Sequence, residues 1–148
     1  MFKRILVPVD GVELTKRVLA QVEKLALCRN ASVTLMTVGG SALDAINMVI
    51  DNVQNVQAQN KSGAEEYLSD AVAVMRGKGL NADWVYKEGT PAPEIIAYAA
   101  DNNIDLIAVP TQGKQETTSP FRSNLGSLVG KIAGHTAANV MLLNTMEI

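Results

Sequence analysis

Asp10 closes a short apolar run, Ile5-Leu6-Val7-Pro8-Val9, and is followed by Gly11. A carboxylate at the end of a buried strand can accept hydrogen bonds from a ribose hydroxyl or an adenine amine. The same residue before glycine also serves as a turn or helix-capping aspartate, and both readings stand. A second cluster lies in the polar stretch from Gly113 to Asn124, which leads into Leu125-Gly126-Ser127-Leu128. Free N–H groups at a helix start, together with the helix dipole, attract an anion. Glycine lets a phosphate approach the backbone closely, and Ser127 adds a hydroxyl donor. The competing reading is that Ser123 or Asn124 simply caps the helix and that Gly126 serves packing.

Other chemistry is thin. One cysteine, Cys28, excludes an intrachain disulfide and a cysteine-rich zinc site, and it fits a reducing compartment, most simply the cytoplasm. From its place near the end of a helical pattern, Cys28 is expected to be a small buried hydrophobe. The single histidine, His135, argues against a histidine-based metal site, and its place at a helix end suits a structural role. No Gly-x-Ser-x-Gly elbow, Walker A sequence or Cys-x-x-Cys is present. A net charge of −2 lacks the basic footprint of a general nucleic-acid binder. No apolar run approaches the ~20 residues of a membrane span, and the N-terminal stretch is too short for a signal peptide.

The elements that position these residues follow from hydropathy patterning. Ile5–Val9, Val33–Val38, Leu106–Val109 and Val140–Leu143 are short, nearly continuous apolar runs, as in strands buried within a parallel sheet. Ala82–Tyr86 alternates and predicts a less buried strand at an edge. Between them lie helical stripes. Leu14, Val18, Leu19, Val22, Leu25 and Ala26 form the first. The stretch from Ser41 to Arg76 reads as one long helix or two pieces, with the polar patch Gln57–Gly63 as the point of doubt. Thr90 and Pro91 start the next helix, with Thr90 as cap, and Asn102-Asn103 ends it. A last helix is expected from about Asn124 to His135, with Gly126, Gly130 and Gly134 on one face for close approach to the sheet. The 148 residues, 47% of them apolar, suffice for one domain with a sizeable core. Strand–helix alternation predicts a single α/β domain over residues 1–148, a doubly wound parallel sheet with helices on both faces. In such a sheet a ligand lies beyond the carboxyl ends of the strands, where strand order reverses. That places Pro8-Val9-Asp10-Gly11, Val38-Gly39-Gly40 and Val109-Pro110-Thr111-Gln112-Gly113 at the expected site.

The ordered set Ile5-Leu6-Val7-Pro8-Val9-Asp10-Gly11, Glu88-Gly89-Thr90-Pro91, Asp105-Leu106-Ile107-Ala108-Val109 and Gly126-Ser127-Leu128-Val129 resembles the universal stress protein family. The resemblance covers nearly the whole chain and is weakest from Ser41 to Asn60. It implies a Rossmann-like sheet of order 3-2-1-4-5, and a homodimer built by pairing the last strands, here Val140 to Asn144. Nucleotide-binding members carry glycine, two residues, glycine, nine residues, then Gly-Ser or Gly-Thr. Here Gly113 matches, Glu116 stands where the second glycine is expected, and Thr117 to Leu125 keep the spacing to Gly126-Ser127. Pro110 also replaces a usual glycine, removing an N–H donor.

The resemblance implies an ATP or AMP site, with or without Mg²⁺, formed by Pro8, Val9, Asp10, Val38, Val109, Gly113, Gly126, Ser127 and Leu128. Asp10 would sit at the adenine or ribose end, Val9 and Val38 near the base, and Gly113, Gly126 and Ser127 around the phosphates. A Glu116 carboxylate ~4 Å from a phosphate charge is opposed by about 4 kcal/mol at an effective dielectric near 20. Solvent and salt reduce that, and a bridging Mg²⁺ reverses it. The expected function is a stress-response protein that binds an adenine nucleotide and acts by conformation or through a partner. The alternatives are a dimeric scaffold that has lost the nucleotide and, third, a slow ATPase.

Overall fold

A computed structural model describes residues 2–9, 16–39, 54–110 and 129–143. Their order is β1 (Arg4–Pro8), α1 (Lys16–Arg29), β2 (Ser32–Gly39), α2 (Gln54–Gly77), β3 (Asn81–Glu88), α3 (Pro91–Asp101), β4 (Leu106–Pro110), α4 (described over 129–133) and β5 (Asn139–Leu143). All paired strands are parallel, and the sheet order is β3-β2-β1-β4-β5. This is the doubly wound architecture that the apolar runs and helical stripes predict.

Alternation along each strand divides the core in two. Ile5, Val7, Val33, Leu35, Leu106 and Ala108 face α1 and α2, where they meet Val18, Val22, Leu68, Val72 and Met75. Leu6, Met36, Val38, Ile107 and Val109 face the other way, onto Ala92, Ile95 and Ala99 of α3 and Ile132 of α4. β1 and β4 are therefore buried on both faces, as near-continuous apolar runs require. β3 and β5 form the edges. β3 is half-buried through Trp84–Tyr86 and exposed at its carboxyl end, as an edge strand is, and β5 is also only half buried, with Leu142 54% exposed.

α2 runs unbroken through the polar patch and Gly63, which faces open space. Glycine there costs about 1 kcal/mol relative to alanine, but the downstream stripe of Leu68, Val72 and Met75 is buried and holds the helix. The part of the Ser41–Arg76 stretch before Gln54 lies outside the described residues, as does residues 124–128 of the last helix.

α1, α2 and α3 stop by one device. Asn30, Gly79 and Asn103 adopt left-handed φ of 51°, 86° and 53°. The next residue in each case donates its N–H to a carbonyl five residues back: Ala31 to Ala26, Leu80 to Met75 and Ile104 to Ala99, at 3.0, 3.1 and 2.9 Å. This is the Schellman closure, which satisfies carbonyls left over at a helix end. Ala31 and Leu80 then enter the core, and Ile104 packs against it.

Three local expectations are corrected. Cys28 is exposed. Two residues past Ala26 is roughly 200° around a helix, so Cys28 points away from the face that Val18, Val22 and Ala26 bury. Thr90 occupies the cap position of α3, but its side chain makes no capping hydrogen bond. The third helical residue is Pro93, which has no N–H for a cap to accept from. Gly130 and Gly134 are exposed, with nothing near Gly130 and only the Gly130 carbonyl near Gly134. Val129 and Ile132 make the contact to the sheet instead.

Candidate functional site

The crevice begins with Pro8. On the β2 side of β1, Lys3 O accepts the Ser32 N–H and the Val9 N–H donates to Met36 O, both at 2.8 Å. On the β4 side, Arg4 O accepts the Asp105 N–H at 3.1 Å. Because amides alternate between the two neighbours along a strand, the Pro8 nitrogen faces β4, and it carries no hydrogen. The ladder to β2 accordingly runs on to Pro8↔Met36, while the ladder to β4 stops at Leu6↔Ile107. β1 and β4 thus lose their connection at their carboxyl ends.

The helices enlarge that opening. α1, which follows β1, packs on one face of the sheet, and α4, which follows β4, packs on the other. The helices that follow β1 and β4 therefore lie on opposite faces of the sheet. That divergence is the switch point at which doubly wound sheets bind ligands.

Of the residues expected at the site, Pro8, Val9, Val38 and Val109 are described, and all four are buried. They lie at the ends of three adjacent strands, but not on one wall. Val9 belongs to the core beneath α1 and α2, whereas Val38 and Val109 belong to the core beneath α3 and α4. Their burial puts apolar side chains under the strand ends on both faces of the sheet. Pro110 is buried and ends β4 opposite Leu143. Asp10, Gly113, Glu116, Gly126, Ser127 and Leu128 lie outside the described residues.

Two glycines, Gly39 at the end of β2 and Gly89 before α3, meet near these strand ends. Gly39 O accepts the Gly89 N–H at 2.9 Å, which joins the end of β2 to the start of α3. A Cβ on Gly39 would run into the Tyr86 hydroxyl, and it would stand 3.1 Å from the ring carbon that bears it. The Tyr86 ring therefore leans over the residue that follows Val38. Gly89 has φ 144°, and a Cβ there would meet the Glu94 carboxylate at 2.8 Å. The contact of Tyr86 with Gly39 depends on strand register, not on spacing along the chain.

At the opposite end of the sheet, Asp105 ties the strand starts together. Its Oδ2 accepts the Lys3 N–H at 2.8 Å and its Oδ1 the Arg4 N–H at 3.2 Å. Its carbonyl accepts the Asn139 N–H at 3.1 Å, and Arg4 Nη1 donates to Asn102 O at 2.9 Å. These contacts are structural, and they fix the strands whose far ends form the crevice.

Among the described residues, no group of three histidine, cysteine or acidic side chains is placed to hold a metal. No helix among them is long and apolar enough to cross a membrane.

Comparison with known proteins agrees with this architecture. The chain is 28% identical to universal stress protein YxiE of Bacillus subtilis (strain 168), over 97% of its own length and 99% of the relative's. A universal stress protein solved in complex with cAMP has the same fold, with a TM-score of 0.66, 16% identity and 98% of each chain covered. So has the universal stress protein from Archaeoglobus fulgidus solved in complex with dAMP, with a TM-score of 0.61, 20% identity and coverage of 97% and 99%. The model of the universal stress protein family matches residues 1–144, and the chain belongs to that family.

Proposed function

We propose that this chain binds an adenine nucleotide, ATP or AMP, in the crevice beyond the carboxyl ends of β1, β2 and β4, and signals through conformation or a partner. The observation that carries the reading is the parting of β1 from β4 at Pro8, with their following helices on opposite faces. Family relatives solved with cAMP and with dAMP support an adenine nucleotide as the ligand class.

The described half of the site fits the uncharged part of such a ligand. Val9, Val38 and Val109 are apolar and almost fully buried, so the described strand ends present no charge to a phosphate and only the outermost atoms of these side chains to a base. Asp10 is assigned to the ribose or the adenine amine. Gly113, Gly126, Ser127 and Leu128 are assigned to the phosphate end, where backbone N–H groups and a hydroxyl complement negative charge. Mg²⁺, when bound with ATP, would offset the charge of Glu116.

Two copies are proposed to associate through β5. That strand is an edge of the sheet, and Leu142 leaves apolar surface uncovered there.

A second reading has its own support. Glu116 and Pro110 replace two glycines of the family's binding pattern, which favours a dimeric scaffold without nucleotide. Native isolation followed by denaturation and mass spectrometry separates the two. Release of an adenine nucleotide at near one per chain is expected. A preparation that releases none, and that takes up neither ATP nor AMP at millimolar concentration with Mg²⁺, selects the scaffold.

A further inference from the structure

β3 is the longer edge of the sheet, eight residues against five for β5. Its main-chain groups alternate between β2 and the open side. The Gly89 N–H donates to Gly39 O of β2 at 2.9 Å. Counting back from Gly89 in steps of two, the main chain of Lys87, Val85 and Asp83 faces β2. That of Glu88, Tyr86, Trp84 and Ala82 therefore faces outward. An edge strand of this kind is a template for another strand unless something blunts it.

Two of the outward groups are occupied by side chains. Ala82 O accepts from Arg76 Nε at 2.8 Å, and the Trp84 N–H donates to Asp83 Oδ1 at 2.9 Å. Arg76 Nη2 stands 3.6 Å from the same Asp83 oxygen. Arg76 comes from α2, on the face where Ala82 and Trp84 pack, whereas Asp83 alternates onto the other face with Val85. The pair thus closes around the edge. Both side chains are well exposed, so the ion pair itself contributes little to stability. Its effect is to take one acceptor and one donor away from a docking strand.

The strand that fits this edge is β3 of a second copy. Antiparallel pairing about a two-fold axis at Val85 brings outward residues opposite outward residues, Trp84 to the partner's Tyr86 and Ala82 to the partner's Glu88. The same register sets Asp83 opposite the partner's Lys87, twice by symmetry, an attractive cross-strand pair. Such a ladder needs the Ala82 carbonyl and the Trp84 N–H, and it offers Asp83 a new cation in place of Arg76. We propose that β3 is a second self-association edge, and that the Arg76–Asp83 pair is the latch that holds it shut against a second copy. The proposal does not rest on the nucleotide reading.

Sedimentation velocity on the full chain carrying Leu142→Lys, with and without Arg76→Ala, tests it. The readout is the mass gained on opening the latch, whatever state the parent takes. Arg76→Ala is expected to raise the mass at least twofold at submillimolar concentration. Adding Lys87→Glu sets acid opposite acid and should weaken that association about tenfold or more, and adding Asp83→Lys as well should restore it. Glu88→Pro removes an outward N–H while leaving the ladder to β2 intact, and it should abolish the gain. No mass gained on Arg76→Ala, or a gain that Lys87→Glu leaves unchanged, overturns the proposal; the second result would mean that some other surface pairs. If Arg76→Ala fails to fold, Arg76→Met keeps the apolar stem, removes the guanidinium and carries the same expectations.

Discussion

Asp105→Ala should destabilise the protein well beyond an ordinary surface substitution. The carboxylate accepts two main-chain hydrogen bonds, from Lys3 at 2.8 Å and Arg4 at 3.2 Å, from residues more than one hundred positions away. A hydrogen bond to a charged group contributes about 1.5–3 kcal/mol. Both bonds are exposed, so water replaces the lost acceptor and the loss falls below the sum of two such bonds, to about 2 kcal/mol in all. For a chain of this length that corresponds to roughly 4–8 °C in melting temperature. Asp105→Asn retains one acceptor oxygen and no charge, and it should lie between, at about 1 kcal/mol. Glu66→Ala, which removes an exposed carboxylate from α2, serves as control and should stay within about 0.5 kcal/mol of the parent. Urea unfolding followed by circular dichroism measures all three, and the denaturant slope should not change. If Asp105→Ala costs no more than Glu66→Ala, the strand starts are not held by this side chain and the reasoning is refuted.

Three other substitutions or treatments have definite expected outcomes. Gly39→Ala should cost about 1–3 kcal/mol by driving a methyl group into the Tyr86 hydroxyl, and adding Tyr86→Phe should recover part of that, a non-additivity visible in a double-mutant cycle. Leu142→Lys should leave the monomer's stability within about 0.5 kcal/mol, because the residue is 54% exposed, yet shift the sedimentation of the protein from dimer to monomer; a dimer that persists removes β5 as the interface. Cys28, being exposed, should react with a disulfide reagent without loss of circular dichroism, whereas reaction only upon unfolding would contradict its position on α1.

The interior of the sheet was legible because its signal is local. The continuous apolar runs Ile5–Val9 and Leu106–Val109 reported burial on two faces, and the alternation of Ala82–Tyr86 reported an edge. Helix stops were partly legible. Asn102-Asn103 and Gly79 are ordinary stop signals, but Asn30 takes the same left-handed conformation with a side chain that also suits exposed loops. Residue type alone suggests burial for Cys28, whereas its angle around α1 turns it to solvent. The pairing of Asp105 with Lys3 and Arg4, and the contact of Tyr86 with Gly39, depend on which strands become neighbours, which spacing along the chain does not record. Pro8 lies between these cases. Its identity is plain in the sequence, but its consequence, a seam between β1 and β4, needs the direction of its nitrogen.

The crevice is proposed to take an adenine nucleotide despite the loss of two family glycines, at Pro110 and Glu116. This is tested most directly by calorimetric titration of the nucleotide-free protein with ATP and Mg²⁺, beside Glu116→Gly. The account predicts saturable binding by the parent, and tighter binding by Glu116→Gly as the repulsion near the phosphates is removed. No binding by either protein at millimolar ATP or AMP would contradict it, and would leave the universal stress protein fold here as a scaffold without nucleotide.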